Sequence, residues 1–214
     1  MKKIDLSGWN RRNHYEFYKD FTDPCFNLCV NVDVSNAVNY ARKNQLSVFL
    51  TLLYLSNKAT NAVDAFKRRL DSDKNVWQVD CIQPSATVLK ADDTFNFCDF
   101  THTEVLQDFV KKGREKMQQA LSEPALANVN NRPEQIFYSV IPWLEFTSYK
   151  HAANAGFNDV PKIVFGKITA KYTRAPGGES LMMPVSVELS HVLADGLDIA
   201  KYIAAFEKNI ENLS

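Results

Sequence analysis

The chain has 214 residues, 45% of them hydrophobic, and its 25 basic side chains balance 25 acidic ones. That length suits one large domain or two small ones with a substantial core. Zero net charge excludes a general attraction to nucleic acid or to an anionic membrane surface. After Lys2-Lys3 no apolar stretch of signal-peptide type follows, and the most apolar run, residues 48–55, is too short to cross a bilayer. The four cysteines lack C-x-x-C spacing, a sparse usage that suits a reducing compartment, so a cytoplasmic location is expected. Metal binding by Cys25 and Cys29 is open on spacing alone, but two core thiols are the simpler account and no metal is expected.

In chain order, residues 27–33 read as a strand. Ser35 then caps a short helical stretch with Ala37, Val38 and Ala41 on one face. Ser47 caps a longer helix that the pattern extends through Leu70. Its apolar residues Phe49, Leu52, Leu53, Leu55, Ala59, Ala62, Val63 and Phe66 recur at steps of three and four, the mark of a helix packed on a sheet. Strands are predicted at 75–80, 85–90 and 94–100, and an amphipathic helix at 103–123. A loop at 122–132 precedes three more strands, at 135–140, 163–173 and 181–189. The last two flank Ala175-Pro176-Gly177-Gly178-Glu179, a hairpin turn, and an amphipathic helix at 197–213 follows. This order argues for one α/β domain over residues 1–214, with a mixed sheet whose helices cover one face more than the other.

Three stretches could carry chemistry. In His191-Val-Leu-Ala-Asp195-Gly196, a histidine ends a strand and faces a glycine-containing turn. It is either a general base held by rigid backbone, a role that suits imidazole's reference pKa of about 6.5, or a strand-end histidine that merely bonds local backbone. Residues 137–149 pack five aromatics around Ser139, whose hydroxyl is either bonded to backbone or aimed into a pocket. Residues 9–18 mix arginines, a histidine and rings, either as a solvated turn or with one arginine buried and paired. No G-x-S-x-G elbow, dinucleotide fingerprint or P-loop occurs, and His14, His102 and His151 lack zinc-enzyme spacing.

Taken together, four segments resemble the chloramphenicol acetyltransferase family. They are Trp9-x-Arg11-Arg12-x-His14-Tyr15-Glu16-Phe17-Tyr18, Ser139-x-x-Pro142-Trp143 with Phe146-x-Ser148-Tyr149, Ala170-Lys171-Tyr172, and His191-x-x-x-Asp195-Gly196. The last alone is shared with dihydrolipoyl acyltransferase cores; the four in order make the resemblance specific. It implies a two-layer α/β sandwich of the CoA-dependent acyltransferase type, with acetyl-CoA as co-substrate and a small hydroxylated acceptor, chloramphenicol first. By resemblance His191 is the base that drives direct attack on the thioester. Ser139 binds the oxyanion, and Asp195 pairs with Arg11 to hold the turn. Phe17, Tyr18, Cys25, Thr87, Phe95 and Tyr149 fall on acceptor-pocket positions, and Tyr172 on one near the coenzyme's adenine. The family is trimeric, with sites at subunit interfaces and the base supplied by a neighbour.

The chain departs from that pattern at several places. Ser190 replaces the first of two histidines, Leu197 an aromatic, and Asp198 a histidine. Phe97 and His151 occupy pocket positions that are small or aliphatic in the family, and Ile168 replaces a water-ordering threonine. Another alcohol, or a thiol such as dihydrolipoamide, is the alternative acceptor, though no lipoyl-like domain is present. A non-catalytic binder of hydrophobic ligands is the alternative of a different class.

Overall fold

The computed structural model describes residues 1–126, 132–152, 159–172 and 178–213. Among these it contains five α-helices: α1 (Arg12–Tyr18), α2 (Ser35–Lys43), α3 (Val48–Asn61), α4 (Leu106–Ser122) and α5 (Gly196–Glu211). The large sheet is formed by β2 (Cys25–Asp33), β5 (Gln83–Leu89), β6 (Phe95–Asp99), β7 (Gln135–Val140), β8 (Lys162–Phe165), β9 (Thr169–Tyr172) and β10 (Glu179–Ser190). Its order is β2-β10-β8-β7-β5-β6, with β9 beside β10. β7 runs parallel to β5 and β8, and the other pairs are antiparallel. A second, small antiparallel sheet joins β1 (Lys2–Lys3), β4 (Val76–Gln78) and β3 (Arg68–Leu70) in the order β1-β4-β3. The fold is the expected α/β sandwich with a mixed sheet.

Strand alternation decides which side chains meet the helices. Ile136, Tyr138, Ile163, Phe165, Val185, Val187 and Leu189 lie in one buried cluster with the apolar residues of α2 to α5. Their alternates, including Ser139, Lys162, Ser186, Glu188, Thr87 and Phe97, occupy the opposite face. A second buried cluster sits beside the small sheet, where Tyr15 of α1 and Val76 of β4 pack on Val192 and Leu193. It is this cluster that seats the chain just beyond β10.

The structure corrects several sequence expectations. The helix capped by Ser47, whose Oγ accepts from Leu50 N at 3.3 Å, stops at Asn61 rather than reaching Leu70. Asn61 Oδ1 accepts from Ile82 N at 2.7 Å and its Nδ2 donates to Ile82 O, tying the helix end to the strand start. The continuing apolar period is burial without helix: a 3-10 turn at Asp64–Lys67 still buries Ala65 and Phe66. Ser35 is not a side-chain cap; its hydroxyl donates to Asp33 Oδ1 and accepts from Leu181 N. The strand expected at 163–173 is broken after Phe165. Between the pairs Phe165–Val185 and Thr169–Met182, residues 166–168 face only residues 183–184. Pro184 has no N–H to continue the ladder, and the chain bulges there. The run at 9–18 is not a solvated turn but leads into α1, and β1 and β3 were not anticipated. Residues 175–177 of the hairpin turn at 175–179 and residues 127–131 of the loop at 122–132 lie outside the described residues. Among the described residues no helix is long and apolar enough to cross a membrane.

Candidate active site

β10 ends at Ser190, and the chain turns at once into α5. Leu193 N and Ala194 N both donate to Ser190 O, at 3.0 and 2.9 Å, and His191 N donates to Pro24 O at 2.8 Å. Asp195 is the N-cap of α5: its Oδ1 accepts from Leu197 N at 3.0 Å, while Asp198 Oδ2 accepts from Asp195 N at 3.1 Å. The departure at Asp198 therefore has a local cause, a reciprocal cap, and the spacing Asp195-x-x-Asp198 is the signal that could have revealed it.

Arg11, at the head of α1, reaches into this turn with only 8% of its surface exposed. Its Nη1 donates to Asp195 Oδ2 at 2.5 Å, and its Nη2 donates to His191 O and Ala194 O, both at 3.0 Å. Burial works against the Asp195 charge, but the Arg11 hydrogen bond and charge outweigh it and hold the carboxyl below its ordinary value. The His191 ring lies between two aromatic rings, stacked on Phe26 at 4.0 Å and on Tyr18 at 4.8 Å between centroids. Backbone, guanidinium and rings thus hold a half-exposed imidazole in one place.

Near it, Phe17 is 64% exposed and packs edge-on against Tyr18. Cys25 stands opposite Ser190 in the ladder, and burial pushes its thiol up to about 11, which leaves it protonated and a poor nucleophile at neutral pH. Ser139 lies elsewhere. It is half-buried on β7, on the helix-free face, and its hydroxyl has no hydrogen-bond partner among the described residues. Thr87, Phe95 and Phe97 share that face through β5 and β6, and the Phe97 ring contacts Phe95 and Phe137. Ser139 is opposite Val164, which is opposite Ser186, four residues before Ser190. Strand geometry puts about 13 Å along the strand and two strand spacings between Ser139 and Ser190, roughly 16 Å in all. One chain does not bring His191 and Ser139 to a common reacting atom.

Tyr149 lies edge-on to His151, 4.8 Å between centroids. His151 N donates to Glu188 Oε2 at 3.3 Å, and Glu188 Oε1 accepts from Lys162 Nζ at 2.7 Å. Burial opposes the Glu188 charge, yet the bonds from His151 and Lys162 bring its pKa down to about 2. The sequence reading missed this ion pair. Its only local trace is a carboxylate at an alternating position of a strand that is otherwise apolar and hydroxylic. Tyr172, on β9, is 90% exposed, whereas Ile168, in the break before it, packs on the main core. No cluster of three His, Cys, Asp or Glu that could hold a metal occurs among the described residues.

Comparison with known proteins bears on the family and the fold. The chain is 26% identical to chloramphenicol acetyltransferase 3 of Escherichia coli over 205 residues, 94% of this chain and 92% of that protein. It is also 26% identical to a Campylobacter coli chloramphenicol acetyltransferase over 209 residues, 94% of each chain. A solved structure of a chloramphenicol acetyltransferase superposes with a TM-score of 0.83 at 22% identity, covering 98% of this chain and 99% of the other. The dihydrolipoamide acetyltransferase of Azotobacter vinelandii shares the fold at a TM-score of 0.70 and 14% identity, covering 99% and 92%. The family model described as chloramphenicol acetyltransferase matches residues 1–207, and the chain belongs to that family.

Proposed function

We propose that the chain is one catalytic domain that transfers the acetyl group of acetyl-CoA to a hydroxyl of a small acceptor, with chloramphenicol as the first candidate. The observation that carries this reading is the clamped, half-exposed imidazole of His191, whose place is set by the Arg11–Asp195 pair and the Tyr18 and Phe26 rings. His191 takes the proton of the acceptor hydroxyl as its oxygen attacks the thioester carbonyl. The tetrahedral oxyanion accepts a hydrogen bond from Ser139, and its collapse breaks the carbon–sulfur bond. The departing thiolate recovers the proton from the imidazolium and leaves as coenzyme A. A neutral Cys25 thiol suits direct transfer with no acyl-enzyme. Tyr172, exposed on β9, offers a ring against which the adenine can stack.

The in-plane separation of Ser139 from the end of β10 supports a homotrimer in which His191 of one subunit faces Ser139, Thr87 and Phe95 of the next. A cytoplasmic location completes the reading. The second reading is a different acceptor, and the observation favouring it is His151 at a pocket position beside the buried Lys162–Glu188 pair. That set favours an acceptor with a second polar group. A thiol-release assay with acetyl-CoA against amphenicols, other alcohols and dihydrolipoamide tests both. Chloramphenicol-dependent release supports the first reading and release with another acceptor alone supports the second. Ligand binding with no release by any acceptor would make the chain a non-catalytic binder.

A further inference from the structure

Arg68 and Arg69 begin β3, and strand alternation sends them to opposite sides. Arg69 Nη2 donates to Gln135 O at 2.8 Å and its Nη1 to Phe66 O and Arg68 O, all backbone acceptors away from the turn after β10. Arg68 Nη1 instead donates to Leu193 O at 2.7 Å, inside that turn. With Arg11 on the carbonyls of His191 and Ala194, guanidiniums occupy three of the four carbonyls from His191 to Ala194. Arg68 has no carboxylate within ion-pair distance among the described residues; burial and the nearby Arg11 work against its charge, and Asp198, Asp64 and Asp195 favour it from further off. Its guanidinium is held over the Trp9 ring, 5.3 Å from the centroid. Trp9 also contacts Tyr15 and lies two residues before Arg11, so one short segment both binds the turn and steadies the second arginine.

The three aspartates act on Arg68 from beyond ion-pair distance, while its direct contacts are a backbone carbonyl and the Trp9 ring, so its placement serves the turn rather than a paired carboxylate. Here it binds Leu193 O, one of the two carbonyls of residues 191–194 that Arg11 leaves free. We propose that Arg68, steadied by Trp9, is a positioning residue for His191, acting through Leu193 O without touching substrate. The inference rests on reading His191 as the general base. It also assigns a role to the small sheet, which holds Arg68 against the turn, and to Trp9 of the N-terminal motif.

The test uses Arg68→Met, which keeps the aliphatic stem, and Arg68→Lys, which keeps a cation. Per mole of folded enzyme, Arg68→Met is expected to lower kcat about 10- to 100-fold, since small misplacement of a catalytic group has effects of that order. Both KM values are expected to stay within about threefold, and Arg68→Lys to recover part of the rate. Independently of turnover, the imidazole ¹H–¹⁵N resonances of His191, assigned by their loss in His191→Gln, are expected to shift or broaden in Arg68→Met. Those of His14, His102 and His151 are expected to stay in place. If Arg68→Met does not fold, Trp9→Leu, which removes the ring and leaves the cation, is read in the same two ways. Unmoved His191 resonances overturn the proposal, and so does an unchanged kcat in a folded variant. Absence of acetyl transfer by the wild type would sink the base assignment instead, and the His191 spectrum would still decide whether Arg68 holds the ring.

Discussion

At the residue scale the proposed chemistry rests first on His191, whose turn is held by Arg11 and Asp195. His191→Ala is expected to leave the fold intact and to lower acetyl transfer about 10²- to 10⁴-fold, the usual contribution of a positioned base. A near wild-type rate at neutral pH, measured by thiol release, would remove His191 from that role. The Arg11–Asp195 pair is unequal: the side chain of Arg11 is 10% exposed and that of Asp195 is 42% exposed. Asp195→Asn therefore strands the more buried partner. A cost of about 2 kcal/mol is expected, between the limits for exposed and buried pairs, because Arg11 keeps its two carbonyl bonds. The folded Asp195 carboxyl is depressed, so its stabilisation is complete above the ordinary carboxylate pKa and is lost as pH falls through the folded value. In a denaturation double-mutant cycle with Arg11→Met, the two effects are expected to fall short of additive. Additive effects would show that the pair carries no coupling.

At the scale of elements, the break between β8 and β9 shapes the helix-free face. A Cβ on Gly166 would come within 2.8 Å of both Phe146 and Pro184 side chains and 3.2 Å of Leu144 O. Gly166→Ala is expected to destabilise by about 1–3 kcal/mol through overpacking, and to perturb the segment that carries Tyr149. Unchanged thermal stability would mean that the segment yields freely. The ion pair between β8 and β10 makes a separate prediction. Glu188 has a folded pKa of about 2 against an ordinary value of 4.5, so its stabilisation is complete above about 4.5 and is lost as pH falls from there towards 2. Wild type is expected to exceed Glu188→Gln by about 3 kcal/mol in denaturant titrations at pH 7, and the gap to narrow sharply by pH 3. A gap independent of pH would mean that Glu188 acts by packing rather than by charge.

At the scale of the whole molecule, the lesions should sort by which side of a shared site they occupy. Tyr18 stacks on the His191 of its own chain, so a Tyr18 variant damages the same side of a site as the base. In the proposed trimer Ser139 would belong to the other side. Mixing inactive His191→Ala subunits with inactive Ser139→Ala subunits by co-refolding is therefore expected to restore activity, since some interfaces then carry neither lesion. Mixed trimers that stay inactive, or a monomer mass by light scattering, would refute the shared site.

Much of this was legible along the chain. The period of two at 181–189 and 135–140 reports strands buried on at least one face, and the steps of three and four at 103–123 and 197–213 report helices. The ordered segments around Arg11, Ser139 and His191 identified the family that the comparisons show. Periodicity is local, however: it records which side of an element is buried, not what it is buried against. It therefore ran past Asn61, where a hydrogen bond to Ile82 rather than any loss of apolar pattern ends the helix. It could not foresee that Pro184 would interrupt the neighbouring strand, because the interruption exists only once β10 lies beside that chain. The pairing of Glu188 with Lys162, 26 residues away, and of Arg68 with Leu193 O, 125 residues away, depends on chain closure alone. Residue types and their spacing determined the elements and the chemistry available; the packing of distant elements decided which charges are buried, what holds the imidazole, and on which side of the sheet the serine stands.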